Sequence, residues 1–171
     1  MRIIIVTQEE NLYLPGSFAR VCRAFPDSVV CIAAAPAMST HGGPLRGLLR
    51  HVQLFGLRGS ATLGWRVMTA KVKALVTSPG KAGPFHAIGQ VAHAWDIPYH
   101  SVGSLKGPEF GPMLDRYRPD LLVSIRCPQI IGKSIRDRPM GSINVHRGPL
   151  PRYRGLLPAF WALRTAKPQR P

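Results

Sequence analysis

The sequence predicts an α/β domain: a doubly wound, mostly parallel sheet with helices on both faces. Three observations lead there. Continuous apolar or β-branched runs at 2–6, 28–33 and 121–125 read as strands buried on both faces. Stretches with apolar residues at helical spacing lie between them, so strand and helix alternate about four or five times. No internal repeat, low-complexity tract or linker divides the 171 residues, a length that suits one domain burying about 70% of its unfolded surface.

The elements follow in order. Arg2–Val6 is a first buried strand. A dinucleotide-binding turn would follow it with Gly-x-Gly-x-x-Gly, but the chain gives Thr7–Gln8–Glu9–Glu10–Asn11–Leu12–Tyr13–Leu14–Pro15–Gly16, which argues against NAD or FAD. Pro15–Phe25 suits a helix, Pro26–Asp27 breaks it, and Ser28–Ala33 forms a second strand. A small-residue loop, Pro36–Gly43, leads to Leu45, Leu48, Leu49 and Val52 at helical spacing, with Arg46 and Arg50 off that face. A second helical pattern, from about Leu63 to Val76, uses Leu63, Val67, Val72 and Leu75, with Trp65 and Met68 as flanking bulk. Basic amphipathic helices can bind membranes or partners, but short surface helices normally show this pattern, and the apolar face is expected to pack on the sheet. Ser78–Gly83 is a break, and Pro84–Trp95 is a further helix. Ile97–Val102 is a short strand near an edge, because Pro98 cannot donate to a ladder. Lys106–Tyr117 is a helix weakened by Gly111 and Pro112. Arg118–Pro119–Asp120 ends it and feeds the apolar strand Leu121–Ile125.

Composition excludes several classes. No apolar run approaches the ~18 residues of a membrane helix, and Arg2 with its short apolar run is too brief for a signal peptide. Cys22, Cys31 and Cys127 lack metal-ligand spacing, so buried thiols in a reducing compartment, the cytoplasm, are expected, with no metal. The formal net charge is +15, and every acid lies outside Ser28–Trp95. A field of that sign draws in anions. A basic nucleic-acid-binding module is one reading of it, but the basic residues lack aromatic interleaving and no binding motif accompanies them.

Chemistry concentrates from Gly141 onward. In Gly141–Ser142–Ile143–Asn144–Val145–His146 the polar side chains fall at period two and share one face of a short strand. Open parallel sheets carry ligands at such strand ends. Neutral histidine can take a proton from a nucleophile and return it to a leaving group. An adjacent asparagine amide can donate to an oxygen that gains charge. The pair therefore suits acyl transfer to an amine or hydroxyl. It also fits an Asn that caps a turn beside a hydrogen-bonded strand-end His, and Asn-x-His alone does not choose. Pro149 and Pro151 stop the strand, Gly155 relaxes the backbone, and Pro158 suits the first turn of a helix.

The longer string does choose. Ile143–His146, then Leu150–Pro151–Arg152–Tyr153–Arg154–Gly155, Pro158 and Trp161–Ala162–Leu163, resembles the folate-dependent formyltransferase family, which includes methionyl-tRNA, glycinamide ribonucleotide and sugar N-formyltransferases. The resemblance implies a Rossmann-like N-terminal catalytic domain over 1–163, C-terminally incomplete, with 164–171 as a polar tail. It implies a formyl group passing from 10-formyltetrahydrofolate to a substrate amine, with Asn144 as oxyanion donor and His146 as general acid and base. The family's loop for the pterin ring matches Cys127, Pro128, Gln129, Ile130 and Ile131, where recognition runs through the backbone. Cys127 has a rival reading as an acyl-accepting nucleophile, but no activating base is evident. Gln8, Asn11 and Tyr13 in the first loop, with Arg152 and Arg154, are the candidate contacts to the substrate. The implied partner is a small-molecule or anionic amine, nucleic acid entering only if the acceptor is tRNA, and no membrane. One position departs from the pattern. The family's catalytic Asp lies further from the His than the 25 residues after His146, and no carboxylate occurs from Arg138 to Pro171. Whether the chain is an enzyme is thus left open against a truncated or inactive relative that keeps folate or partner binding.

Overall fold

A computed structural model describes residues 1–36, 43–127, 129–154 and 158–165, with backbone only at 43–46 and 50. Its sheet has five strands: β1 (Ile3–Gln8), β2 (Val29–Ala35), β3 (Tyr99–Ser101), β4 (Leu121–Ile125) and β5 (Gly141–Val145). All pair in parallel, in the order β3-β2-β1-β4-β5. The helices are α1 (Leu14–Ala24), α2 (Gly43–Val76), α3 (Ile88–Ala94), α4 (Phe110–Tyr117), α5 (Lys133–Arg136) and α6 (Pro158–Thr165). The chain winds outward from β1 to β3, then crosses back to β4 and out to β5, as a doubly wound sheet does.

Alternation along β1 sorts the core into two layers. Ile4 and Val6 pack with Cys31, Ala33, Leu122 and the α4 residues Phe110, Met113 and Leu114. Ile5 faces the other way, onto Phe18 and Cys22 of α1 and Ile88 and Val91 of α3. Helices therefore cover both faces. β2 runs two residues past its expected end at Ala33, because pairing with β1 and β3 fixes Ala34 and Ala35 despite the low strand propensity of alanine.

Three helices differ from expectation for local reasons. α3 starts at Ile88, not Pro84. The His86 N–H donates to Gln90 Oε1 (2.8 Å), the His86 carbonyl accepts from Asn11 Nδ2 (2.8 Å), and Ala87 is extended. α4 starts at Phe110 rather than Lys106, after a tight turn in which the Gly107 N–H donates to the Ser104 carbonyl. The two helical patterns between 45 and 76 are two helical arms of α2, as expected, but they extend until they meet at a non-helical kink at Gly56, whose φ of 69° is readily adopted only by glycine.

The second arm of α2 corrects the packing expectation. Leu63 and Val67 are half-buried and Ala70 is buried, but Val72, Leu75, Trp65 and Met68 are exposed. At 100° per residue, the small and half-buried residues form one stripe and the large exposed ones another. A single apolar face was expected; the arm has two, and only the smaller-residue one packs inward. Among the described residues no helix is long and apolar enough to cross a membrane. Gly155, most of the 36–43 loop and the tail beyond 165 lie outside the described residues.

Candidate functional site

Because every strand is parallel, the loops after β1, β4 and β5 all leave the same edge of the sheet. Strands spaced ~4.8 Å put the ends of β1 and β5 roughly 10 Å apart. The topological switch lies between β1 and β4, and β5 is the next strand out, at the sheet edge. Ligand crevices of open α/β sheets sit there.

Asn144 is held from the neighbouring strand. It lies opposite Ser124 in the β4–β5 register, and Ser124 Oγ donates to Asn144 Oδ1 at 2.8 Å. Ser124 is buried whereas Asn144 is exposed. The inward end of the amide is thereby occupied, and among the described residues its NH₂ end makes no hydrogen bond, so it can meet an outside acceptor. Residues Ile143 and Val145, on the opposite face, are 53% and 49% exposed.

His146 stands one residue beyond β5, half-buried, with Nε2 2.6 Å from the Tyr153 carbonyl oxygen. A carbonyl only accepts, so Nε2 carries the proton and the neutral ring keeps Nδ1 as its basic nitrogen. Tyr153 also sits under the Arg152 guanidinium, 5.4 Å from the ring centroid, and its hydroxyl shares a 2.6 Å hydrogen bond with Thr165 Oγ1 of α6. Gly148 lets this turn close tightly. A Cβ there would lie 3.0 Å from the Pro158 Cβ and 3.1 Å from the Tyr153 Cβ.

The loop after β4 opens on Arg126 at φ 49°, a strained conformation for a residue with a Cβ. Its shape is pinned by Gln129, whose Oε1 accepts from the Leu105 N–H (2.8 Å) and whose Nε2 donates to the Gly103 carbonyl (3.3 Å). That side chain is used up in structure. Ile131 packs into the core, Ile130 is exposed, and Pro128 lies outside the described residues. Cys127 Sγ donates to the Gln129 carbonyl, and burial pushes its thiol above the ordinary range. A raised thiol is a poor nucleophile at neutral pH, so the acyl-accepting role has no support here.

The first-loop candidates divide. Gln8 ends β1 half-buried, Tyr13 is exposed at the start of α1, and the Asn11 amide is committed to His86. Glu10, which has no signal in a short motif, is the residue that orders this loop. Its carboxylate accepts from the N–H groups of Leu12, Tyr13 and Leu14 and so caps α1. Glu9 accepts from the Tyr99 hydroxyl, which burial and that carboxylate push up. Arg154 is exposed. Among the described residues no three His, Cys, Asp or Glu side chains gather as a metal site.

Comparison with known proteins fits this geometry. The Formyl transferase family model matches residues 65–169, more than half of the chain and all of the Asn144–Tyr153 site. The chain belongs to that family. Methionyl-tRNA formyltransferase of Syntrophus aciditrophicus is 36% identical over 99 residues, which cover 54% of this chain and 32% of that protein. The Geobacter sulfurreducens methionyl-tRNA formyltransferase is 39% identical over 74 residues, 43% of this chain and 23% of that one. The chain thus spans about a third or less of the length of these relatives. In the phosphoribosylglycinamide formyltransferase of Anaplasma phagocytophilum the fold is shared at a TM-score of 0.55 and 14% identity, over 98% of this chain and 59% of that one. Formyltransferases of this family take their one-carbon unit from 10-formyltetrahydrofolate.

Proposed function

We propose that this chain binds 10-formyltetrahydrofolate at the C-terminal edge of β4 and β5 and directs its formyl group to a substrate amine. The observation that carries the reading is that both polar groups at the tip of β5 are pre-set by groups outside the Asn-x-His pair, Asn144 by Ser124 and His146 by the Tyr153 carbonyl. The amine nitrogen attacks the formyl carbon, and the Asn144 NH₂ donates to the oxygen as it gains charge. His146 takes the amine proton on Nδ1 and returns it to the folate nitrogen as the carbon–nitrogen bond to the donor breaks. The loop from Cys127 to Ile131 offers main chain to the pterin, its side chains at Gln129 and Ile131 being turned to structural use. Arg152 and Arg154 face an anionic part of donor or acceptor, in keeping with the +15 charge. Because the relatives matched are methionyl-tRNA formyltransferases, an aminoacyl-tRNA is the first acceptor to test.

Asn144→Ala should lower transfer by roughly 10²–10³-fold, the usual effect of removing one oxyanion donor, with donor binding retained in calorimetry. Unchanged turnover would remove Asn144 from the mechanism. A binding-only reading has its own support: the partner of His146 Nε2 is a main-chain carbonyl, which fixes the tautomer but brings no full negative charge to steady the imidazolium. Heat on titrating a tetrahydrofolate analogue, together with no transfer to any amine, would select it.

A further inference from the structure

We propose that the second arm of α2 docks on an anionic lipid surface through its outward apolar stripe. Leu57, Ala61, Trp65, Met68, Val72 and Leu75 recur at four- and three-residue steps and, at 100° per residue, lie within one side of the helix. All six are exposed, with Leu57 at 77%, Trp65 at 71% and Leu75 at 87%. The stripe runs for roughly 27 Å. The helix is fixed to the body elsewhere: Ala70 is buried on the inward side, and Gln90 Nε2 donates to the carbonyls of Ala74 (3.0 Å) and Thr77 (2.6 Å). The stripe is therefore held outward rather than awaiting a place in the core.

Charge decides between occupants. Arg58, Arg66 and Lys73 run along one flank of the stripe and Lys71 along the other, all exposed, and no acid occurs from Ser28 to Trp95. A second copy of this helix would bring like charges together with no carboxylate on either helix to pair them. RNA would attract the basic flanks but leave the aliphatic stripe in water. A leaflet holding anionic headgroups satisfies both halves: Trp, Met and Leu enter the boundary with the acyl chains, and the Lys and Arg stems extend sideways to the phosphates. The helix would lie on the surface and not cross it. This reading is independent of formyl transfer, and it revises the expectation from sequence that no membrane takes part.

The test is co-sedimentation of the whole chain with vesicles of phosphatidylcholine and phosphatidylglycerol, against vesicles of phosphatidylcholine alone. Binding to the anionic vesicles is expected, weakened by salt and roughly tenfold or more weaker on neutral ones. Both Trp65→Glu with Leu75→Glu and Arg66→Glu with Lys71→Glu should lower it by about tenfold or more, with the circular dichroism spectrum unchanged. Brominated acyl chains should quench tryptophan emission in the wild type and much less in Trp65→Phe. The proposal is overturned by no sedimentation with anionic vesicles. It is equally overturned by binding that only the charge-reversed variant loses. Self-association in solution that the Trp65→Glu, Leu75→Glu variant abolishes would assign the stripe to a second copy instead.

Discussion

At the tip of β5 the decisive contacts come from groups outside the Asn-x-His pair. Ser124 is an ordinary serine in an apolar run, and only the β4–β5 register brings its hydroxyl to Asn144. Removing it as Ser124→Ala should cost about 1 kcal/mol of stability. It should also broaden the Asn144 side-chain amide signals in a ¹⁵N spectrum, whereas Ser124→Thr should keep them sharp. Gly148→Ala should push Tyr153 or Pro158 by a few tenths of an ångström and loosen the 2.6 Å contact to His146. A ¹⁵N spectrum of the His146 ring at one pH checks this, since the variant should shift the ring resonances while leaving the sheet unchanged. Burial raises the Cys22 thiol to about 11 and the Cys31 thiol to about 12, against an ordinary 9.0. The folded state thus keeps protons that the unfolded chain releases above pH 9, so stability is whole below that pH and falls as it rises toward 12. Cys31→Ala should flatten this alkaline decline in urea melts at successive pH values. Asn144 and His146 were readable as a motif, and Tyr153 as part of the longer string; the contacts of Ser124 and of the Tyr153 carbonyl were not, because they arise from pairing across strands and from a turn's main chain.

Among the elements, the strands were the most legible. β4 and β5 match the apolar run and the period-two string that announce them, because residues covered on both faces, or alternating in polarity, leave little else for the backbone to do. Helix starts were legible only where a breaker set them. α3 loses its first turn to the Asn11, His86 and Gln90 contacts, which join three distant parts of the chain. In α2 the periodicity was visible, but two apolar faces were merged into one, since spacing alone does not say which face meets the body. Phe110, fully buried at the start of α4, ties that helix to the sheet. Phe110→Ala should therefore cost about 3–5 kcal/mol, measured by chemical denaturation.

The whole molecule is a doubly wound sheet whose centre, β1 with β2 and β4, is covered on both faces, while β3 and β5 form its edges. Alternation of strand and helix foretold this class, and Pro98 foretold β3 at an edge. That β5 occupies the other edge was not readable, because strand order follows from long-range packing. The 127–131 loop and the Asn144–His146 pair leave adjacent parallel strands, which puts them within reach of one ligand, as the function proposed above requires. The most direct test is a ¹⁵N-labelled titration of the chain with a non-transferable 10-formyltetrahydrofolate analogue. The account predicts saturable shifts confined to the Asn144 side-chain amide, His146 and the 127–131 backbone, with Asn144→Ala losing the first of these and keeping the rest. Shifts that avoid the ends of β4 and β5, or none at saturating analogue, would contradict it.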